Sequence, residues 1–90
     1  MKFTYDSAKN DLNLSKHGPP LSDAKLLDWN ASYNWVDQRK DYGEERRIAL
    51  IPNNQRVYCV VYVESKIAIR IISLRKANAR EVNFYEEKTN

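Results

Sequence analysis

The run from Val57 to Val63 constrains this chain more than any other stretch. Val57, Cys59, Val61 and Val63 alternate with Tyr58, Val60 and Tyr62, so an extended segment here is apolar on both faces and belongs in the middle of a covered sheet. Its neighbours are close in sequence. A strand over Arg46–Ile51 precedes it across the turn signal Pro52-Asn53-Asn54-Gln55, and a strand over Lys66–Ile72 follows the short link Glu64-Ser65-Lys66. Strands joined this tightly pair antiparallel. In the last of them Ile67, Ile69 and Ile71 fall on one face, and Ala68, Arg70 and Ile72 on the other.

The rest of the chain reads as cover for that sheet. Lys2–Tyr5 is a short strand, and Asp6 or Ser7 caps a helix from about Ala8 to Lys16 that stops at Gly18-Pro19-Pro20. A second N-terminal helix is expected over Ser22–Trp29, with Leu21, Ala24, Leu27 and Leu26 as its buried stripe. Asn30–Asp37 reads as an edge strand and Gln38–Glu45 as a polar loop. Asn78, with Glu81 three residues on, has the form of a capping box and starts a C-terminal helix to about Glu87; residues 88–90 are expected to fray. The fold expected is α+β, a small antiparallel sheet with two N-terminal helices and a C-terminal helix.

Ninety residues allow one domain, 1–90, with a single core. Charge is unevenly spread. Residues 1–45 hold six cations and eight acids, whereas residues 46–90 hold nine cations and four acids, which favours a polyanionic partner for the second half. Four of those cations, Arg70, Arg75, Lys76 and Arg80, cluster where the last strand leads into the last helix, a rigid setting suited to an anion such as phosphate.

One cysteine and one histidine exclude an internal disulfide and leave no ligand set for zinc, and no cofactor is expected. Cys59 inside an apolar run reads as a buried structural thiol, in keeping with a reducing cytoplasm. Residues 1–6 carry no stretch of signal-peptide character and no run approaches the length of a membrane span, so a cytoplasmic protein with no membrane association is expected. No glycine-rich loop could cradle a nucleotide, and the acids are too scattered for a two-metal site.

Three stretches, in order, match one family. Tyr5-Asp6-Ser7-Ala8-Lys9 with Asn13 and Lys16-His17-Gly18, then Asp37, Arg39 and Asp41-Tyr42-Gly43-Glu44-Glu45-Arg46, then Arg70-Ile71-Ile72-Ser73 with Arg75-Lys76-Ala77 and Arg80-Glu81, together resemble the BrnT family of bacterial toxins. The resemblance implies a RelE-like fold and an RNA-cleaving toxin that inhibits translation as half of a type II toxin–antitoxin pair. It also implies a BrnA-type antitoxin with a ribbon-helix-helix domain, a 2:2 assembly, and promoter DNA bound only through the complex.

RNA can be cut without a metal ion because its own 2′-OH attacks the adjacent phosphate, leaving the protein to stabilise charge on the phosphorane and to move protons. Arg46, Arg70 and Arg75 are the candidates for charge stabilisation, since a guanidinium matches phosphate bidentately and stays charged. Lys76, Arg80 and Arg39 extend the track for RNA. Pairing with Glu45 or Glu81 is the competing role for these arginines. His17 is the default proton-transfer group, with a plain charge interaction at a helix C-terminus as its alternative. Glu45 is a second candidate base that could instead orient Arg46. Tyr33, Trp35 and Tyr42 flank the polar loop, either packing there or meeting RNA or antitoxin, while the spacing of Tyr85 with Ala79 and Val82 favours a core position over stacking on a base or donating a proton. The alternative to an enzyme is a non-catalytic module of the same fold that binds nucleic acid or the antitoxin.

Overall fold

A computed structural model describes residues 2–90, so Met1, the first residue of the leader and domain readings above, lies outside it. The chain runs β1 (Lys2–Tyr5), α1 (Ser7–His17), two 3-10 turns (Leu21–Leu26 and Trp29–Ala31), β2 (Tyr33–Val36), β3 (Arg47–Asn53), β4 (Arg56–Glu64), β5 (Ala68–Lys76) and α2 (Ala79–Thr89). The strands form one sheet in the order β1-β5-β4-β3-β2, with β4 in the middle as its two apolar faces require. Among the described residues no helix is long and apolar enough to cross a membrane.

Two expectations about this architecture need correction. The sheet is mixed rather than wholly antiparallel, because β1 lies parallel to β5, Lys2 opposite Ala68 through Tyr5 opposite Ile71. Nor is there a second N-terminal α-helix: Leu21–Leu26 and Trp29–Ala31 are 3-10 turns. The buried residues Leu21, Ala24 and Leu27 explain why, since a spacing of three is the 3-10 period, and the candidate that departs from it, Leu26, is 63% exposed.

The sheet buries its two faces unequally. On one face Leu21, Ala24 and Leu27 from the turns close over Ala49, Ile51, Val60, Tyr62, Ile69, Ile71 and Leu74. Trp29 packs there edge-on against Tyr62 and at a tilt against Phe3. On the other face the buried apolar residues, among those described, are Ile48, Leu50 and Cys59, with Trp35, Val57, Val61, Ala77 and Tyr85 packed around them. The Tyr85 hydroxyl donates to the Ala31 carbonyl at 2.6 Å, which ties α2 to the second 3-10 turn.

Helix α1 is held by polar contacts. Asp6 accepts from the Lys9 amide, and Gly18 closes the helix at φ 98°, a left-handed angle that suits glycine. Its one buried residue is Asn13, whose Nδ2 donates to the Leu74 carbonyl at 2.6 Å and to the Pro19 carbonyl at 2.8 Å. Since β1 pairs only as far as Ile71, the Asn13 amide takes over the edge of β5 beyond it.

Candidate nucleic-acid interface

A bulge in β5 puts the site's arginines on one side. Val61 faces Ser73 but Tyr62 faces Ile71, which leaves Ile72 unpaired. Arg70 then lies opposite Val63 and Arg75 opposite Cys59, residues of the same β4 face. In a regular strand their odd spacing would send them to opposite faces. The expected alternation holds for Ile69 and Ile71, both buried, but Ile67 precedes the strand and is 80% exposed.

The loop between β2 and β3 carries the other half of the site. Asp37, its side chain fully covered, ends β2, and its amide donates to the Arg46 carbonyl at 2.7 Å, closing the loop at its base. Its carboxylate accepts from Arg39 Nε at 2.8 Å, Arg39 Nη2 at 2.7 Å, the Arg39 amide and the Tyr42 hydroxyl. The Arg39 guanidinium above all holds this carboxyl well below the usual carboxylate range. The Tyr42 ring in turn supports Arg46, whose guanidinium carbon sits 4.3 Å from the ring centroid. Gly43, at φ 74°, turns the chain back, with Asp41 accepting from its amide.

Glu44 joins the two halves. Its Oε2 accepts from Arg46 Nε at 3.3 Å and from Arg70 Nη2 at 2.6 Å. Arg70 first, then Arg46, keep this carboxyl ionised below its ordinary range. Around the pair lie two adjoining hollows. One, of about 210 Å³, is lined by Asp6, Lys9, Arg46, Arg70, Ile71 and Ile72. The next, of about 200 Å³, is lined by Lys9, Leu12, Asn13, Lys16, His17, Ile72 and Ser73. They share Lys9 and the bulged Ile72, so one groove between α1 and β5 presents Lys9, Lys16, His17, Arg46 and Arg70.

The other candidates lie elsewhere. Arg75 makes a bidentate pair with Glu81, at 2.8 and 2.9 Å, that fastens β5 to the first turn of α2. Four strand positions on β4 separate its partner from that of Arg70, roughly 13 Å at 3.3 Å per residue. Lys76 and Arg80 are exposed at the strand-to-helix junction, and Arg80 borders an apolar hollow with Trp35, Leu50 and Phe84. Glu45 is not the acid beside Arg46: it is exposed and 3.8 Å from Arg47, while Glu44 makes the Arg46 contact. Cys59 is buried, and burial pushes its thiol up to about 11. Tyr33 and Trp35 pack against Phe84.

Sequence reasoning assigned no role to Lys9, Lys16, Asp37 or Glu44. The pattern that could have found Lys9 and Lys16 is their spacing of seven on α1, which brings both to one side of the helix with His17 adjacent. A larger hollow, about 610 Å³, opens on the opposite sheet face beside Trp29, Tyr62 and Ile69. Its lining holds one cation, Lys25, against Asp28 and Glu64, so size notwithstanding it suits a polyanion less well than the smaller groove. Among the described residues no three His, Cys, Asp or Glu side chains converge as metal ligands would.

The mixed sheet thus carries, at the edge of β5, a groove lined by arginine, lysine and histidine, whose excess of positive charge favours an anionic ligand. The chain belongs to the BrnT family, whose model, described as the ribonuclease toxin, BrnT, of type II toxin-antitoxin system, matches residues 5–81. It is accordingly a ribonuclease toxin whose system supplies an antitoxin partner. No curated protein matches the chain.

Proposed function

We propose that the toxin cleaves RNA by metal-independent transesterification in the groove between α1 and β5. The observation that carries this reading is the meeting of Arg46 and Arg70 on one carboxylate oxygen beside Lys9, a cluster with more positive than negative charge. A phosphodiester placed there meets guanidinium donors that stabilise the developing charge on the phosphorane oxygens. His17, in the adjoining hollow, takes the proton of the attacking 2′-OH, and Lys16 holds the flanking backbone. The 2′ oxygen forms a bond to phosphorus as the bond to the 5′ oxygen breaks and that oxygen takes up a proton from water, leaving a 2′,3′-cyclic phosphate and a 5′-hydroxyl end.

The test is incubation of the purified toxin with RNA in excess EDTA, followed by analysis of the new ends. Cyclic phosphate ends, lost in Arg70→Ala, are expected. Cleavage only with an added divalent ion would overturn the mechanism, and tight RNA binding without cleavage would favour the non-catalytic module. The proposed partner is a BrnA-type ribbon-helix-helix antitoxin in a 2:2 complex that alone contacts promoter DNA, which family membership supports. Co-purification with the product of a neighbouring reading frame, and the mass of the complex, test it.

A further inference from the structure

We infer that Glu44 is the positioning residue of this groove, fixing Arg46 and Arg70 in the attitude that receives a phosphodiester. The inference rests on the reading above and deepens it. The two arginines come from different parts of the fold, one from the end of the β2–β3 loop and one from β5. Among the described residues neither has another side-chain hydrogen-bond partner, so Glu44 Oε2 is the one hydrogen-bonded link between them.

Glu44 holds them without using up their donors. A guanidinium has five N–H groups; Arg46 spends its Nε–H and Arg70 one hydrogen on Nη2, so four on each remain for an incoming anion. Two carboxylates, Glu44 and Asp6, against two guanidiniums and Lys9 still leave the hollow with an excess of positive charge. Glu44 is itself anchored, with 29% of its side chain exposed, and Arg46 is backed by the Tyr42 ring. A carboxylate clasped by two cations is a poor proton acceptor, and this separates its role from that of a general base. Two long side chains fixed before the substrate arrives need no ordering at the moment of reaction.

The competing idea is that Glu44 is a placeholder sitting where the phosphate goes, to be expelled by RNA. The two make opposite forecasts for Glu44→Ala and Glu44→Gln, compared with the wild-type chain in cleavage of an RNA oligonucleotide and in binding of its 2′-O-methyl analogue. Positioning predicts that Glu44→Ala lowers kcat about 100-fold, the scale of a small misplacement of reacting groups, while the analogue binds as tightly or more so. Glu44→Gln, which keeps an acceptor, restores part of the rate, and the shape of the pH–rate profile is unchanged. Cleavage and binding that both rise in Glu44→Ala, or a lost limb of the pH profile in Glu44→Gln, would overturn the inference. Guanidinium 1H–15N spectra provide a readout independent of activity: the Arg46 Nε–H signal exchanges slowly with water in the wild type and is lost in Glu44→Ala. An unchanged signal would likewise overturn it. Wild-type toxin that fails to cleave refutes the proposed mechanism and leaves this spectral test standing.

Discussion

The two faces of the sheet divide stability from chemistry. One face is sealed by Leu21, Ala24 and Leu27 over seven buried residues, nearly all of them apolar. The other buries Ile48, Leu50, Cys59 and the Asp37 carboxylate, and its remaining cover, the 37–46 loop and α2, carries the ion pairs Asp37–Arg39, Glu44–Arg46–Arg70 and Arg75–Glu81. A well-packed apolar face can set the fold's stability because each buried side chain contributes through area and close packing. Exposed and half-exposed ion pairs contribute little to stability but fix where charges sit. The lesson is that a small chain can concentrate its stability on one face and leave the other free to hold arginines for a substrate.

Mutations on the two faces should therefore have opposite signatures. The largest effect is expected from Arg46→Ala and Arg70→Ala, which remove donors to the phosphorane and lower kcat by about 10²–10³, with thermal midpoints close to wild type. Leu21→Ala opens a cavity on the sealed face and should cost about 2–5 kcal/mol in a denaturant titration, with the rate per folded molecule unchanged. Asn13→Ala strands the Leu74 and Pro19 carbonyls; about 2 kcal/mol is expected, together with faster amide exchange in α1.

Acid should act mainly on the charged face. The Asp37 and Glu44 carboxyls are lowered in the folded state, Asp37 chiefly by Arg39 and Glu44 chiefly by Arg70. Their stabilisation is therefore complete above the unfolded carboxylate values of about 4 and fades as pH falls through the folded ones. Asp37→Asn should be less stable than wild type at neutral pH and flatter in its decline below pH about 4, measured by melting at a series of pH values. The smallest effect belongs to Glu45→Gln, which removes only the loose, exposed contact with Arg47 and should leave both stability and cleavage within error.

Much of this was legible in the residues. The double alternation of Val57–Val63 placed β4 at the centre, and the Asn78–Glu81 capping box marked the start of α2. Local signals carried both. The parallel pairing of β1 with β5 was hidden because it joins segments more than sixty residues apart with no turn between them to announce it. The bulge at Ile72 was hidden for a different reason: no glycine or proline marks it, yet it decides which side Arg75 takes. At the site, Arg46 and Arg70 stood out by charge and residue type. Choosing Glu44 over Glu45 required the phase of a segment just outside β3, where one residue of shift reverses the face.

The division between the faces is tested most directly by titrating the 15N-labelled toxin with a short 2′-O-methyl RNA and following its amide and guanidinium signals. The account predicts shifts confined to Lys9, Lys16, His17, Arg46, Arg70 and the bulge at Ile72 and Ser73. Shifts centred on Trp29, Tyr62 and Ile69, at the larger hollow of the sealed face, would contradict it.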